Sequence, residues 1–321
     1  MVRGSMKIVF LGEETLSRRT QAVRRQLERS GHDVVALTTD TTASLNPEKT
    51  GGWVWLGLSI LAMARQRPDV VHLQGPKAVY LTWLAGMLHP EATYIWTIDS
   101  LLPRWIARQA AKAVDAITTP SRSFQVRLLA ETGVRAQYVP DGYEAASEPV
   151  RKHGRKKAYC VTTARAARDV RWITSALKEA GSKYRLISLK DVPEDKRMSI
   201  LESAQIVILH NNKDTAEDVL KVMDAGRAVI ATTKPLYEET LGVTAMYVAP
   251  KDVTSLAAAA HLLLKSPARR RAWGRKARQR AQQHFTWERV TGDYLRLYRH
   301  SKARLVPLDS ARRPLFTQLP V

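Results

Sequence analysis

Asp99 directly follows an apolar run at 93–98 and precedes a polar turn. A carboxylate at the end of a strand can take a proton from a hydroxyl as general base. The competing reading is a cap for the helix that follows. Arg165, Arg168 and Arg171 come just after another apolar run, at 158–162. Guanidinium groups beside a helix N-terminus stabilise a diphosphate or another developing anion. Their plainer reading is a solvated helix start. Gly12 ends the first apolar run and lets backbone approach a phosphate closely. His72 and Gln74 sit at the end of a third run, and Asp141-Gly142 follows a later one. His72 is read either as a substrate contact or as a structural residue. No His/Cys/Asp cluster has metal-ligand spacing, so no metal is expected.

These groups need a scaffold that brings strand ends together. Short apolar runs at 7–11, 33–37, 70–73, 93–97, 116–118 and 136–139 alternate with helical patterns near 16–30, 53–66, 77–88, 104–113 and 121–131. Gly31 stands where a helix would end. A polar stretch at 148–157 contains Pro and Gly and reads as a linker. A second series follows, with strands at 158–162, 184–189, 206–209, 228–231 and 246–248. Its helices are expected near 171–180, 194–203, 216–225, 236–241, 253–265, 267–283 and 286–300. The pattern predicts an α/β protein with two Rossmann-like domains, 6–147 and 158–300, and a tail at 301–321. Ligands of such sheets sit beyond the carboxyl ends of the strands. The loops after strands, including 12–14, 72–75, 99–100, 141–142, 163–168 and 211–214, are therefore where chemistry is expected.

The 321 residues suit two α/β domains. Residues 1–5 (MVRGS) read as an appended segment, with Met6 the expected natural start. No secretory signal is expected, because the run at 6–11 is short and strand-like. A single cysteine, Cys160, excludes an intrachain disulfide framework and fits a reducing compartment. The most apolar stretch, 53–64, is too short to span a bilayer and predicts a buried helix, or a membrane-surface helix as the alternative. Net charge is +21 and unevenly spread. Residues 1–150 hold 17 basic and 14 acidic side chains, whereas 151–321 hold 34 and 16. Such asymmetry points to a polyanionic partner or an anionic membrane, against the plainer reading of a solvated basic face.

The ordered segments resemble family 4 glycosyltransferases. RSGHDVVALTTD (29–40) is similar to that family's first helix end and second strand. RPDVVHLQGP (67–76) is similar to its third strand, and AVDAITTPSRSFQVRLLAETGVRAQYVPDGYE (113–144) to the stretch closing its first domain. In the second half, LESAQIVILHNN (201–212), KVMDAGRAVIATT (221–233) and SPARRRAWGRKARQRAQQHFTWERVTGDYLRLY (266–298) resemble family segments in the same order. The resemblance implies the GT-B architecture, two Rossmann-like domains facing across a cleft, with the C-terminal helices packing back toward the first domain. It implies transfer of a sugar from a nucleotide-sugar, with a UDP-sugar expected, and no tightly bound cofactor.

Departures from the family pattern shape the site. Two family glutamates, with seven residues between them, match Lys213 and Lys221, with Glu217 or Asp218 as replacement carboxylates if the correspondence slips. Positive charge there suits a diphosphate better than sugar hydroxyls. A family histidine after the fourth strand is matched by Asp99, and Arg165 matches part of a phosphate-binding pair completed by Arg168 or Arg171. The donor set is thus Gly12, Arg165, Arg168, Arg171, Lys213, Lys221 and Glu217. The acceptor and cleft set is His72, Gln74, Asp141 and Gly142. Asp99 as base favours an inverting displacement.

Three functions are weighed. An enzyme of envelope glycan or lipid-linked glycan synthesis would work in the cytoplasm, peripherally at the inner membrane face, where basic charge suits anionic lipid. YIWTIDSLLPRW (94–105) resembles the phage DNA β-glucosyltransferase segment carrying an aspartate base. That implies a DNA-modifying alternative, with Trp53, Trp55, Trp96 and Trp105 as candidates to meet an extruded base, against the plainer reading of each as a core tryptophan. A degenerate fold that binds nucleotide or polyanion without turnover is the third.

Overall fold

The computed structural model describes residues 4–12, 17–37, 63, 65–75, 88–145 and 159–302. The expected helices at 53–66 and 77–88 fall almost wholly outside the described residues. So do Glu13-Glu14, Trp53, Trp55, the linker at 148–157 and residues 303–321.

Two separate parallel sheets form. The first contains β1 (Lys7–Leu11), β2 (Asp33–Leu37), β3 (Val70–Gln74), β4 (Thr93–Thr97), β5 (Ala116–Thr119) and β6 (Gln137–Tyr138), in the order β2-β1-β3-β4-β5-β6. The second contains β7 (Tyr159–Thr162), β8 (Arg185–Ser188), β9 (Ile206–Leu209), β10 (Ala228–Thr232) and β11 (Ala245–Val248), in the order β11-β10-β9-β7-β8. Strands β4, β9 and β10 are buried at every position, as expected for strands covered on both faces.

The helices start where side chains can satisfy free backbone N–H groups. In the first half, α1 (Arg18–Arg29) is capped by Ser17, which accepts from the Thr20 N–H. Helix α2 (Arg104–Lys112) begins after Pro103, and α3 (Arg122–Thr132) is capped by Ser121 and closed by left-handed Gly133. In the second half come α4 (Ala167–Glu179), α5 (Glu194–Ser203), α6 (Ala216–Asp224), α7 (Pro235–Leu241), α8 (Val253–Lys265), α9 (Pro267–His284) and α10 (Trp287–Lys302). Thr215 and Asp218 form a reciprocal capping box at the start of α6. Helix α4 starts four residues before the sequence pattern suggests, because Ala166 supplies no side-chain cap to mark it. Arg168 therefore lies on the helix with Arg171 rather than in the loop.

The last helix crosses between the halves. Val290, Tyr294, Leu297 and Tyr298 of α10 are buried with Ile8, Phe10, Val23, Leu27 and Ile95 in one cluster. The expectation that the C-terminal helices return to the first domain is met by α10, while α9 packs on α6 and β10 of the second sheet. The crossing is fixed at 142–143. The Tyr143 N–H donates to the Phe285 carbonyl at 2.9 Å, and the Trp287 N–H donates to the Tyr143 carbonyl at 3.3 Å. A Cβ on Gly142 would lie 2.6 Å from the Trp287 ring, so this close approach requires glycine.

Candidate functional site

Contacts between the halves join helices that follow strands. Glu239 of α7 accepts from the Arg122 N–H at 3.1 Å and the Ser123 N–H at 2.6 Å, at the start of α3. Its carboxylate thus caps a helix from across the interface, where the helix dipole favours negative charge. Arg18 at the start of α1 lies 3.7 Å from Glu217 on α6. The carboxyl ends of the two sheets therefore face one another. A cavity of about 500 Å³ lies between them, bounded by Ser121, Tyr138 and Asp141 on one side and Thr215, Lys234 and Glu239 on the other.

A second cleft, about 170 Å³, opens wholly in the second unit. Thr163 and Arg165 reach it from the loop after β7, Asn211 and Asp214 from the loop after β9, and Lys190 and Lys221 from its flanks. Asp214 is the anchored group. It accepts from the Tyr237 hydroxyl at 2.6 Å and from the Asn211 amide at 2.8 Å. The Tyr237 oxygen in turn accepts the Asn211 backbone N–H at 3.0 Å. Burial pushes the Asp214 carboxyl above the usual carboxylate range, although hydrogen bonds from Tyr237, Thr163 and Asn211 pull the other way. Lys234 donates to the Asn211 carbonyl at 3.1 Å, which braces the same loop.

Beside this network, His210 lies 3.8 Å from Asp169 and shares a 3.2 Å hydrogen bond with Thr232. Burial lowers the His210 pKa, partly offset by Asp169. The arrangement offers one half-buried carboxylate to polar hydroxyls, and cations to phosphate oxygens, at the carboxyl end of a parallel sheet. Among the described residues, no group of three or more His, Cys, Asp or Glu side chains is placed to hold a metal.

The donor-set residues divide. Arg165 and Lys221 line the cleft. Arg168 and Arg171 are exposed on the first turns of α4, and Arg168 pairs with Asp169 at 3.6 Å. Lys213 is exposed in a turn. Glu217 is held by Lys221 at 2.8 Å. Asp218 lines the cleft but is also committed to capping α6. Gly12 is buried beside β2, its N–H donating to the Leu37 carbonyl at 3.2 Å.

The acceptor set is largely committed to structure. His72 is buried, with one ring nitrogen 2.7 Å from the Tyr298 hydroxyl and the other 2.7 Å from Thr97. Burial, helped by Arg19, depresses its pKa to about 3. His72 therefore cannot meet substrate, and the substrate-contact reading is corrected to a neutral core histidine. Gln74 accepts from the Thr20 hydroxyl and ties β3 to α1. Asp141 borders the interdomain cavity while receiving Arg19 at 2.8 Å. Gly142 is covered by Trp287. Trp96 is fully buried, its indole N–H bonded to the Gly75 carbonyl at 3.0 Å, so it is not available to an extruded base. Asp99, in contrast, is exposed in the loop after β4. It does not cap α2, whose N-cap is Pro103 without a side-chain hydrogen bond.

Sequence reasoning marked the loop at 211–214 but not Asp214 or Asn211 within it, and it did not mark Glu239, which bridges the halves.

Comparison with known proteins bears on the fold that carries this geometry. Residues 16–146 match the model of Glycosyltransferase Family 4. The whole chain is similar in structure to a glycosyltransferase from Rickettsia africae, with 12% identity, TM-score 0.69, and 93% of this chain and 99% of that chain covered. It is also similar to HepE of Anabaena, solved in complex with UDP and glucose, with 12% identity, TM-score 0.60 and coverage of 92% and 100%. Sucrose-phosphate synthase from Thermosynechococcus elongatus shows 14% identity, TM-score 0.59 and coverage of 93% and 100%. No curated protein matches the chain in sequence. The fold is thus that of the GT-B glycosyltransferases. The match to Glycosyltransferase Family 4 falls on the first unit.

Proposed function

We propose that this protein transfers a sugar from a UDP-sugar to a hydroxyl of an envelope glycan or lipid-linked acceptor. The observation that carries the reading is the cleft in the second unit, where Arg165 and Lys221 flank the half-buried, braced carboxylate of Asp214. Arg165 and Lys221 offset the charge of the leaving diphosphate. Asp214 accepts a hydrogen bond from a donor hydroxyl. UDP is favoured as the nucleotide because HepE was solved with it and a similar trehalose-phosphate synthase from Burkholderia xenovorans is described as UDP-forming.

Asp99 takes the acceptor proton as general base. The acceptor oxygen then bonds to the anomeric carbon, and the bond to the diphosphate breaks with its electron pair leaving on UDP. One such displacement inverts the anomeric centre. The same reading places the protein peripherally on the inner membrane face. No helix among the described residues is long and apolar enough to cross a membrane.

A thermal-shift screen of nucleotide-sugars, followed by donor hydrolysis with wild type and Asp99→Asn, tests this. A UDP-sugar should raise the melting temperature and be hydrolysed by wild type, and Asp99→Asn should bind it without turnover. Absence of both stabilisation and hydrolysis would overturn the transferase reading in favour of a degenerate binding fold. Transfer to hydroxymethylated DNA alone would overturn the glycan acceptor.

A further inference from the structure

The amino ends of the second sheet carry arginines that sugar transfer does not use. A cavity of about 190 Å³ lies where β9 and β10 begin, at the end of the sheet opposite the donor cleft. Gln205 borders it before β9, Gly226 and Arg227 before β10, and Pro267, Arg270 and Arg271 from the start of α9. No carboxylate belongs to this lining, and none of its residues lines the donor cleft.

The three arginines are engaged differently. Arg270 is a brace: it donates to the Leu263 and Leu264 carbonyls at 2.9 and 2.6 Å and to the Gln205 side-chain oxygen at 2.9 Å. Arg271 is exposed. Arg227 is half-buried, and its Nε is buried without a hydrogen-bond partner among the described residues. A buried donor left unpaired is costly. Burial also pulls the Arg227 guanidinium below its ordinary range, although the charges of Glu202 and Tyr159 pull the other way. Arg269, Arg270 and Arg271 are consecutive near the start of α9, whose first turn holds no acidic residue. Positive charge is disfavoured at that end of a helix. A small anion relieves both the unpaired donor and the concentrated charge. The walls are already fixed. A Cβ on Gly274 of α9 would overlap the Gly226 carbonyl oxygen, so the helix lies directly on the turn before β10.

We propose that this pocket binds a phosphate group, as inorganic phosphate or a small phosphate ester. Guanidinium groups match phosphate oxygens through paired N–H donors. The cavity is smaller than the roughly 300 Å³ at which sites for larger ligands begin, so it suits one phosphate and not a nucleotide. An anion held by Arg227 and Arg271 ties the turn that leaves α6 to the start of α9. Helix α6 carries Lys221 and Glu217, so the anion steadies the donor cleft from behind. The inference does not depend on the transferase reading.

Titration of sodium phosphate against sodium chloride at equal ionic strength tests it, read by calorimetry and by melting temperature. Wild type should show saturable binding and melt higher in phosphate. Arg227→Gln should weaken binding by about tenfold or more, the loss of one charge-assisted contact. Arg271→Gln should weaken it by about threefold, as expected for an exposed charge. In chloride the Arg271 variant should melt no lower than wild type, since it relieves repulsion, and it keeps the test open if Arg227→Gln fails to fold. Arg165→Ala, in the donor cleft, should retain the binding. Tighter binding of glycerol 3-phosphate than of phosphate would identify an ester as the ligand, and weaker binding the free ion. Binding lost in Arg165→Ala but kept in both other variants would place the anion in the donor cleft and overturn the proposal. So would a melting rise of equal size in wild type and both pocket variants, the general effect of an excluded salt. UDP affinity should be unchanged in the Arg227 and Arg271 variants. Failure of wild type to bind UDP would count against the transferase reading and leave this site standing.

Discussion

The carboxyl ends of the two sheets both carry polar side chains but use them differently. At the first sheet, His72, Gln74 and Asp141 are spent on internal bonds to Tyr298, Thr97, Thr20 and Arg19. At the second, Asp214 is braced from behind by Tyr237 while Arg165 and Lys221 stand in an open cleft. The reason is the last helix. Tyr294 and Tyr298 of α10 return to the first sheet and cover His72 of β3, and among the described residues no comparable helix covers the loops after β7 and β9. Arg19 illustrates the cost. Burial alone would lower its pKa, but Tyr294 and Asp141 together hold the guanidinium above its ordinary range. Polar residues at strand ends thus divide into those that join the halves and those that remain for a ligand.

Asp99 is the exposed exception at the first sheet, and removing it has the largest expected effect. Asp99→Asn should lower transfer by about 10²–10⁴-fold, the usual range for losing a general base, with donor affinity unchanged. Steady-state rates and donor titration read both. Transfer at wild-type rate would place the base elsewhere.

Next in size is the joint between the halves. Gly142→Ala puts a methyl group into the Trp287 ring, and the ring must shift. Overpacking of this kind costs about 1–3 kcal/mol, measurable by urea unfolding. An unchanged midpoint would show that the crossing is not rigid.

The third test concerns His72. Its folded pKa of about 3 lies below the ordinary 6.5, so the neutral form is the one the fold holds. The stabilisation is full above about pH 6.5 and is lost as pH falls toward 3, at a slope of at most about 1.4 kcal/mol per pH unit. His72→Gln should flatten the stability curve in that window. A slope equal to wild type would mean that other groups carry it. The smallest effect is expected at Lys213, exposed in its turn, where Lys213→Ala should change donor affinity by no more than about twofold.

The sheets were legible because each strand is a short apolar run between helical patterns, as in IVIL at 206–209 and AVIAT at 228–232. The start of α4 was not, since Ala166 gives no cap signal. Within the site, legibility ended where partners are distant in sequence. Nothing in the stretch HNNKDTAED tells which side chain turns inward. Tyr237, 23 residues later, selects Asp214 over its neighbours. His72 read as a candidate because its cover, Tyr298, lies 226 residues away. Lys221 lines the cleft, and its pairing with Glu217 follows from helical spacing on α6, whose register depends on the Thr215 cap.

The division between the two sheets is tested most directly by calorimetric titration of UDP into wild type, Arg165→Ala, Asp214→Asn and Gln74→Ala. The account predicts binding by wild type, about tenfold or greater weakening for the Arg165 variant from the lost charge-assisted contact, and near-wild-type affinity for the Gln74 variant. The Asp214 variant should keep most of its affinity for UDP and lose it for the intact UDP-sugar. Failure of wild type to bind UDP, or equal weakening by Arg165→Ala and Gln74→Ala, would contradict it.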